Sequence, residues 1–157
     1  MLFRSVGDYT LLAKIGSGGM ASVYRAKHTA TGQAVALKVL ALHLQDRADV
    51  RARFQREAYM LQQFDHPHIL PVTDYGADGE ILYLVMPLLD GRSLEHILQG
   101  GVALPRAAVG RFTREIASAL DYAHARGVIH RDIKPANILL DPGASVLLAD
   151  RKSTRLN

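Results

Sequence analysis

Residues 128–141, VIHRDIKPANILLD, set several polar residues between two short apolar runs. These polar residues are His130, Arg131, Asp132, Lys134 and Asn137. Packing alone does not require so many polar groups beside apolar neighbours. Asp132 can accept a proton from a hydroxyl nucleophile, and Lys134 can neutralise charge on a transferring phosphoryl group. Because Asn137 also offers a hard oxygen ligand to a divalent ion, the stretch is predicted to be a catalytic loop.

A glycine-rich segment, IGSGGMASV at residues 15–23, lies between the first two predicted strands. Glycine lets backbone N–H groups approach phosphate oxygens, because no side chain stands in the way. A plain hairpin turn has a similar composition, so this signal is weak when taken alone. The strand–turn–strand setting argues against a dinucleotide-binding fold, which needs a strand followed by a helix.

A lysine and a glutamate further along the chain are predicted to pair. Lys38 lies within the apolar strand AVALKVL, residues 34–40, and Glu57 shares the apolar face of a helix predicted over residues 46–64. A buried carboxylate is costly unless it is paired. The pair would hold the ammonium group of Lys38 against the phosphates of a nucleotide. The alternative is two independent charges that reach solvent on their apolar stems.

The order of the predicted elements separates a strand-rich region from a helical one. Residues 9–40 predict three strands, and two more are predicted at residues 66–76 and 81–88. A short helix at residues 93–99 and a long one over residues 105–125 follow, the latter with Pro105 in its first turn and Gly127 beyond its end. The boundary between the regions is predicted near residues 87–91.

Composition and charge exclude several classes of protein. The 157 residues are 48% hydrophobic and 22% charged, as in globular proteins, and the absence of cysteine excludes disulfides and thiolate sites. Three of the 19 basic residues lie in residues 151–157, which hold no acid, so 16 remain against 15 acids. This near-neutral body argues against nucleic-acid binding. Without a membrane span or secretion signal, the segment is predicted to be cytoplasmic.

The motifs together resemble the protein kinase family. The pattern H-R-D-x-K-P-x-N, the glycine-rich hairpin, the V-A-x-K strand and the glutamate helix occur in the family's order. The segments GSGGMASVY and HRDIKPANILLD are similar to bacterial serine/threonine kinases, and the likeness covers residues 8–149. It implies an α+β fold with a five-stranded antiparallel sheet and one helix, then the helical start of a second lobe. The implied domains are an N-lobe with the start of the hinge at 1–88 and a partial C-lobe at 89–149.

The resemblance also implies an activity, with ATP, Mg²⁺ and protein Ser/Thr substrates as cofactors and partners. Asp132 is the implied catalytic base, Lys134 a phosphate contact, Lys38 the ligand of the α- and β-phosphates and Glu57 the residue that orients Lys38. Within this loop Lys134 favours Ser/Thr over Tyr substrates. The implied metal ligands are Asn137 and Asp150. The implied nucleotide-binding residues are Ile15, Gly16, Ser17, Gly18, Gly19, Met20, Ala21, Val23, Ala36, Lys38, Met86 as gatekeeper, Pro87 and Leu89.

The remaining histidines are assigned no chemistry. His66 and His68 flank Pro67 in a loop that is similar to the family's helix-to-strand connector, and a metal site there is not expected. His130 is interpreted as a packed residue that organises the backbone of the catalytic loop.

Residues 150–157 depart from the family pattern. Asp150 should be followed by Phe-Gly, but Arg151 and Lys152 stand there. One back-translation of the octet is similar to a sequencing adapter, so the tail is predicted to be non-native and the polypeptide to be an inactive fragment. A natural divergent C-terminus is the alternative. The long helix is expected to leave an apolar side uncovered, formed by Phe112, Ile116, Ala119, Leu120 and Ala123.

Two other classes of function compete with the enzyme. A pseudokinase-type nucleotide-binding scaffold would be expected to lack Lys38, Asp132 or Asn137, but all three are present. A nucleic-acid-binding module is suggested by the isoelectric point of about 9.6. It is opposed by the near-neutral charge of residues 1–150.

Overall fold

The computed structural model describes residues 5–17, 21–40, 48–143 and 145–149, which form two compact units. The first unit holds the described residues of Met1–Gln63 and Pro71–Leu88. The second holds those of Phe64–Leu70 and Leu89–Arg151. Phe64–Leu70 therefore group with the later part of the chain, although the domain limits inferred from sequence place them in the first region.

The first unit is a six-stranded antiparallel sheet with one helix. Its strands lie in the order β1-β2-β3-β4-β6-β5. They are β1 (Ser5–Val6), β2 (Tyr9–Ser17), β3 (Ala21–His28), β4 (Ala34–Leu40), β5 (Asp74–Asp78) and β6 (Ile81–Pro87). Helix α1 (Ala48–Gln62) buries Val50, Phe54 and Ala58. The predicted α+β class is confirmed, and the described sheet has one strand more than the five expected.

The extra strand and one shortened strand have local causes. Gly7, at φ +54°, turns β1 back onto β2, and its N–H donates to a carboxylate oxygen of Asp78 at 2.9 Å. The strand predicted at 66–76 begins only at Asp74. Pro67 and Pro71 have no N–H to contribute to a ladder of hydrogen bonds.

One hydrophobic cluster of the first unit lies on a single face of the sheet and includes a tyrosine with a polar partner. Its buried members are Val6, Tyr9, Ala26, Val35, Leu37, Tyr83 and Val85. The Tyr9 hydroxyl donates to Asp74 Oδ2 at 2.9 Å. Burial, together with this carboxylate, raises the pKa of Tyr9 to about 12. The hydroxyl therefore stays protonated and keeps its hydrogen bond at physiological pH.

The second unit combines two helices with a short hairpin. Helix α2 (Leu94–Gln99) begins where the Ser93 hydroxyl accepts from the His96 N–H at 3.2 Å. Helix α3 (Arg106–His124) begins after Pro105, which is its N-cap residue and not part of its first turn. A 3₁₀ turn (Pro135–Asn137) leads into β7 (Ile138–Leu140), which pairs antiparallel with β8 (Val146–Leu148).

The apolar side of α3 is covered within this unit, so the expectation of an uncovered stripe was wrong. Phe112, Ala119 and Ala123 are buried, and Ile116 and Leu120 are partly buried. The reason is the β7–β8 hairpin, whose side chains join the same cluster. The buried members of that cluster are Phe112, Ala119, Ile138, Val146 and Leu148. Within the part of the chain that the structure describes, no helix is both long and apolar enough to cross a membrane.

Gly91 lies where two backbone segments of the second unit almost touch. Arg92 O accepts from the Leu140 N–H at 3.0 Å, and Ser93 forms an antiparallel bridge with Leu139. A Cβ atom placed on Gly91 would lie 1.7 Å from the carbonyl oxygen of Leu140. Only glycine permits this approach.

We therefore expect Gly91→Ala to lower the free energy of unfolding by about 3 kcal/mol or more, since backbone must move to make room. Gly110→Ala, in α3, is the matched control. Its Cβ would meet only the Arg114 side chain, at 3.7 Å, and should stabilise the helix by about 0.5–1 kcal/mol. Urea unfolding of the two variants measures both changes, and similar midpoints would contradict the close approach.

Candidate active site

Several residues predicted to bind a nucleotide share one face of the first unit's sheet. Residues directly opposite each other on neighbouring strands lie on the same face. Gly16 of β2 is opposite Val23, which is opposite Lys38, which is opposite Leu84. Since side chains alternate along a strand, Ala36 lies on the face of Lys38, and Ala36 is opposite Met86. The register thus brings together residues of four strands.

Lys38 is buried at the centre of this face. Its relative exposure is 3%, between Val23 and Leu84 on the adjacent strands. Glu57 lies on α1 next to the buried Ala58 and is itself partly buried. Both residues belong to the first unit. Burial of an ammonium group requires compensation, and the pairing of Lys38 with Glu57 stays a prediction.

The other residues predicted to bind the nucleotide lie at or near the ends of strands or outside the described residues. Gly18, Gly19 and Met20 lie outside the described residues. Gly16 and Ser17 end β2, where the ladder shifts register between Lys14 and Gly16. Ile15 is 48% exposed, whereas Ala21 is buried at the start of β3. Pro87 is the last residue of β6, and Leu89 belongs to the second unit.

The catalytic loop is built around His130 in the second unit. Its Nδ1 accepts from the Asp132 N–H at 3.3 Å, and its Nε2 lies 3.2 Å from the carbonyl oxygen of Ala149. A neutral ring with its proton on Nε2 satisfies both contacts, because a carbonyl oxygen can only accept. Among the described residues, Arg131 is the one non-glycine with a positive φ, at 60°. The contact between His130 and the Asp132 N–H spans this strained residue, and the second contact joins the loop to Ala149.

Asn137 is the most buried polar residue of the loop, with no exposed surface. Its Nδ2 donates to the backbone oxygen of Asp132 at 2.8 Å and to Asp132 Oδ2 at 2.9 Å. Its backbone oxygen accepts from the Ala149 N–H at 2.9 Å. The Oδ1 atom is buried and has no hydrogen-bond partner among the described residues. A hard cation is one species that could satisfy such an oxygen.

Lys134 completes the group of polar side chains. Its Nζ lies 3.4 Å from Asp132 Oδ2, and its side chain is 42% exposed while that of Asp132 is 20% exposed. Oδ2 of Asp132 therefore contacts both the buried amide of Asn137 and the more exposed ammonium group of Lys134. The structure brings Asp132, Lys134 and Asn137 together, while their catalytic roles stay predictions. Asp150, the other predicted metal ligand, lies outside the described residues.

His66 and His68 belong to a hydrogen-bond network in the second unit. His66 Nδ1 accepts from the His68 N–H at 3.1 Å, and His66 Nε2 lies 3.1 Å from Ser118 Oγ. His68 Nδ1 lies 3.0 Å from the carbonyl oxygen of Val146. In the described parts of the chain, no group of three or more His, Asp or Glu side chains is placed to hold a metal ion.

Sequence reasoning missed Glu115 of α3. Its Oε2 accepts from the Val146 N–H at 3.0 Å, and its side chain is only 17% exposed. The available signal was an acidic residue directly beside Ile116 on the apolar side of the helix. That signal identifies a partly buried carboxylate but does not identify its partner.

A family model described as a protein kinase domain matches residues 9–151, so the chain belongs to the protein kinase family. Serine/threonine-protein kinase PknD of Mycobacterium tuberculosis is 44% identical over 145 residues, which cover 92% of this chain and 22% of that protein. PrkC of Bacillus subtilis is 37% identical over 148 residues, which cover 94% and 23% respectively. The predicted likeness to bacterial serine/threonine kinases is confirmed.

Solved structures give the same result for the fold. A crystal structure of the M. tuberculosis PknI kinase domain has a TM-score of 0.79 and 36% sequence identity, covering 94% of this chain and 61% of that one. The chain spans about a quarter of the length of the curated relatives it matches. Protein kinases in general use ATP and a divalent metal ion.

His66 should make the stability of the protein depend on pH. Burial, with the neighbouring His68 and Arg126, lowers the pKa of His66 from its ordinary value of 6.5. Below pH 6.5 the unfolded chain binds a proton that the folded chain resists, so stability falls as the pH falls from 6.5 through the lowered pKa. Protonation of Nδ1 would also remove the acceptor of the His68 N–H.

We expect His66→Gln to flatten the dependence of unfolding free energy on pH between about pH 5 and 7. Urea unfolding of the protein and the variant at several pH values measures this difference. Gln63→Ala, an exposed change of a residue without a titratable group, is the control and should keep the original slope. Parallel curves for the protein and His66→Gln would contradict the assignment.

Proposed function

We propose that the protein containing this chain is a kinase that transfers the γ-phosphoryl group of ATP to serine or threonine hydroxyls of proteins, with Mg²⁺. One observation carries the proposal: Asn137 Nδ2 and Lys134 Nζ both contact Oδ2 of the Asp132 carboxylate, at 2.9 and 3.4 Å. These contacts fix the orientation of the Asp132 carboxylate, which can then accept the proton of a substrate hydroxyl. The serine/threonine preference rests on the names of the relatives and on Lys134 within the loop.

Asn137 is proposed as a ligand of Mg²⁺. Its buried Oδ1 has no hydrogen-bond partner among the described residues, and amide oxygens suit this ion. When bound, Mg²⁺ would neutralise negative charge on the phosphate oxygens. Because Asn137 Nδ2 is bonded to Asp132, the amide cannot turn without breaking both contacts, which fixes Oδ1 in its direction. Asp150 is proposed as a second ligand from the family resemblance.

The nucleotide is proposed to bind on the sheet face of Val23, Ala36 and Lys38. The two apolar side chains would contact the base and ribose, and Lys38 would bind the α- and β-phosphates. Glu57 is proposed to orient Lys38. The backbone of the glycine-rich segment, residues 15–21, would cover the phosphates, and Met86, Pro87 and Leu89 would form the adenine-binding hinge. The scaffold alternative gains no support, since Lys38, Asp132 and Asn137 are all present.

The location and the tail are also proposals. We infer a cytoplasmic kinase domain from the family and from its use of ATP. We further propose that residues 150–157 are not native and that the 157-residue chain alone is inactive. Activity is therefore tested in a chimera in which residues 1–149 are followed by Asp-Phe-Gly and the rest of the kinase domain of M. tuberculosis PknD.

In this chimera, Asp132→Asn should lower kcat by about 10²–10⁴-fold and change the KM for ATP by no more than about threefold. The reason is that Asp132 meets the hydroxyl nucleophile and not the nucleotide. Radiolabelled ATP and a generic basic protein substrate give both constants. Asp121→Asn, the same chemical change at an exposed position of α3, should leave both unchanged. Full turnover by Asp132→Asn would overturn the proposed role.

Lys38 and Glu57 should act as a unit. Lys38→Met and Glu57→Gln should each reduce kcat/KM by about 10²-fold or more, and the double variant should be little worse than the worse single one. Lys27→Met, an exposed change on β3, is the control and should retain activity. Strictly additive losses, measured as logarithms of kcat/KM, would show that the two residues do not form a pair.

A further inference from the structure

Strand β8 forms hydrogen bonds along both edges, with a neighbouring strand on one and with backbone and side-chain groups on the other. β7 pairs with one edge, with Ile138 opposite Leu148. On the other edge, the Leu148 N–H donates to His68 O at 2.8 Å and the Leu70 N–H donates to Leu148 O at 3.0 Å. Val146, two residues earlier, is bonded on this edge by side chains. Glu115 Oε2 accepts from its N–H at 3.0 Å, and His68 Nδ1 lies 3.0 Å from its oxygen.

These two side-chain contacts on Val146 are called the β8 clamp. Since a carbonyl oxygen only accepts, His68 Nδ1 must carry a hydrogen atom, and it lies 3.8 Å from Glu115 Oε2. The other carboxylate oxygen of Glu115 lies 3.7 Å from Arg111 Nε. Hydrogen bonds to a charged acceptor are about twice as strong as neutral ones. Glu115 therefore fixes the Val146 N–H more firmly than a neutral acceptor would.

A short path of bonds leads from the β8 clamp to the catalytic loop. The strand runs from Val146 to Leu148, and Ala149 follows. The Ala149 N–H donates to Asn137 O at 2.9 Å, and Ala149 O lies 3.2 Å from His130 Nε2. Asn137 in turn donates to Asp132. A shift of β8 along its axis would therefore move Ala149 away from two residues that shape the loop.

We propose that Glu115 is a positioning residue for phosphoryl transfer, which acts by fixing β8 through the Val146 N–H. The inference rests on the proposed function, because the atoms it positions are those of Asn137 and Asp132. The proposed role is more than stabilisation of the fold, because the path of bonds ends at the backbone oxygen of Asn137 and at the carboxylate of Asp132. Glu115 itself touches neither substrate nor metal.

Amide hydrogen exchange of the 157-residue chain, followed by NMR, tests the first step without any nucleotide. Glu115→Ala should speed exchange at both Val146 and Ala149 by about tenfold or more. Glu115→Gln should give rates between those of the original chain and of Glu115→Ala, because its neutral amide oxygen still accepts but more weakly. Ile116→Val is the control for general weakening of the same helix and its core. If Glu115→Ala raised the rate at Ala149 no more than Ile116→Val does, the proposal would be overturned.

The chimera with the PknD kinase domain tests the second step. Glu115→Ala should lower kcat and raise the Mg²⁺ concentration for half-maximal rate, each by about fivefold or more, with an unchanged KM for ATP. Glu115→Gln should restore most of both, while Ile116→Val and the exposed Arg114→Ala should match the parent chimera. An unaltered Mg²⁺ dependence in Glu115→Ala would overturn the proposal. An inactive parent chimera would instead overturn the proposed function, and amide exchange alone would then decide whether the β8 clamp exists.

Discussion

The side chain of Asn137 is the contact around which the catalytic loop is organised. It is fully buried, and its Nδ2 bonds twice to Asp132. An amide that donates on one side must present its oxygen on the other, so the bonds that hold Asp132 also direct Oδ1. A carboxylate at this position could not donate to Asp132 and would add a repelling charge. The position thus requires a side chain that is both donor and acceptor.

The sequence predicts a feature of this arrangement well when the feature depends on residues close together in the chain. It predicts less when the feature depends on how distant segments pair. The loop from His130 to Asn137 was predictable because its chemistry is local and its spacing is short. The class of fold was predictable from the alternation of strand residues and the three- and four-residue spacing in α1 and α3. The cross-strand row through Val23, Lys38 and Leu84 required the actual register. An alternating pattern argues against a slip of one residue, which would exchange the two faces, but not against a slip of two.

Other features depend on how distant segments pack. Phe112 and Ala119 are covered by Val146 and Leu148. The sequence of α3 could not predict this, because an apolar stripe on a helix does not indicate which segment packs against it. Glu115 was missed for the same reason. β1 escaped prediction because two residues are too few to show alternation, and its turn depends on the single residue Gly7.

The place of Phe64–Leu70 in the second unit has a consequence for how the chain acquires its structure. His68 and Val146 are separated by 78 residues, yet they share one of the bonds that complete β8. Such non-local contacts slow folding, because a long loop must close before they form. During synthesis, His68 O and the Leu70 N–H leave the ribosome well before Leu148 does, and they must remain solvated until then. The second unit therefore folds only after β8 has been made, around a segment that was made much earlier. An isolated stretch of residues 1–88 would contain His68 O and the Leu70 N–H without Leu148, their hydrogen-bond partner.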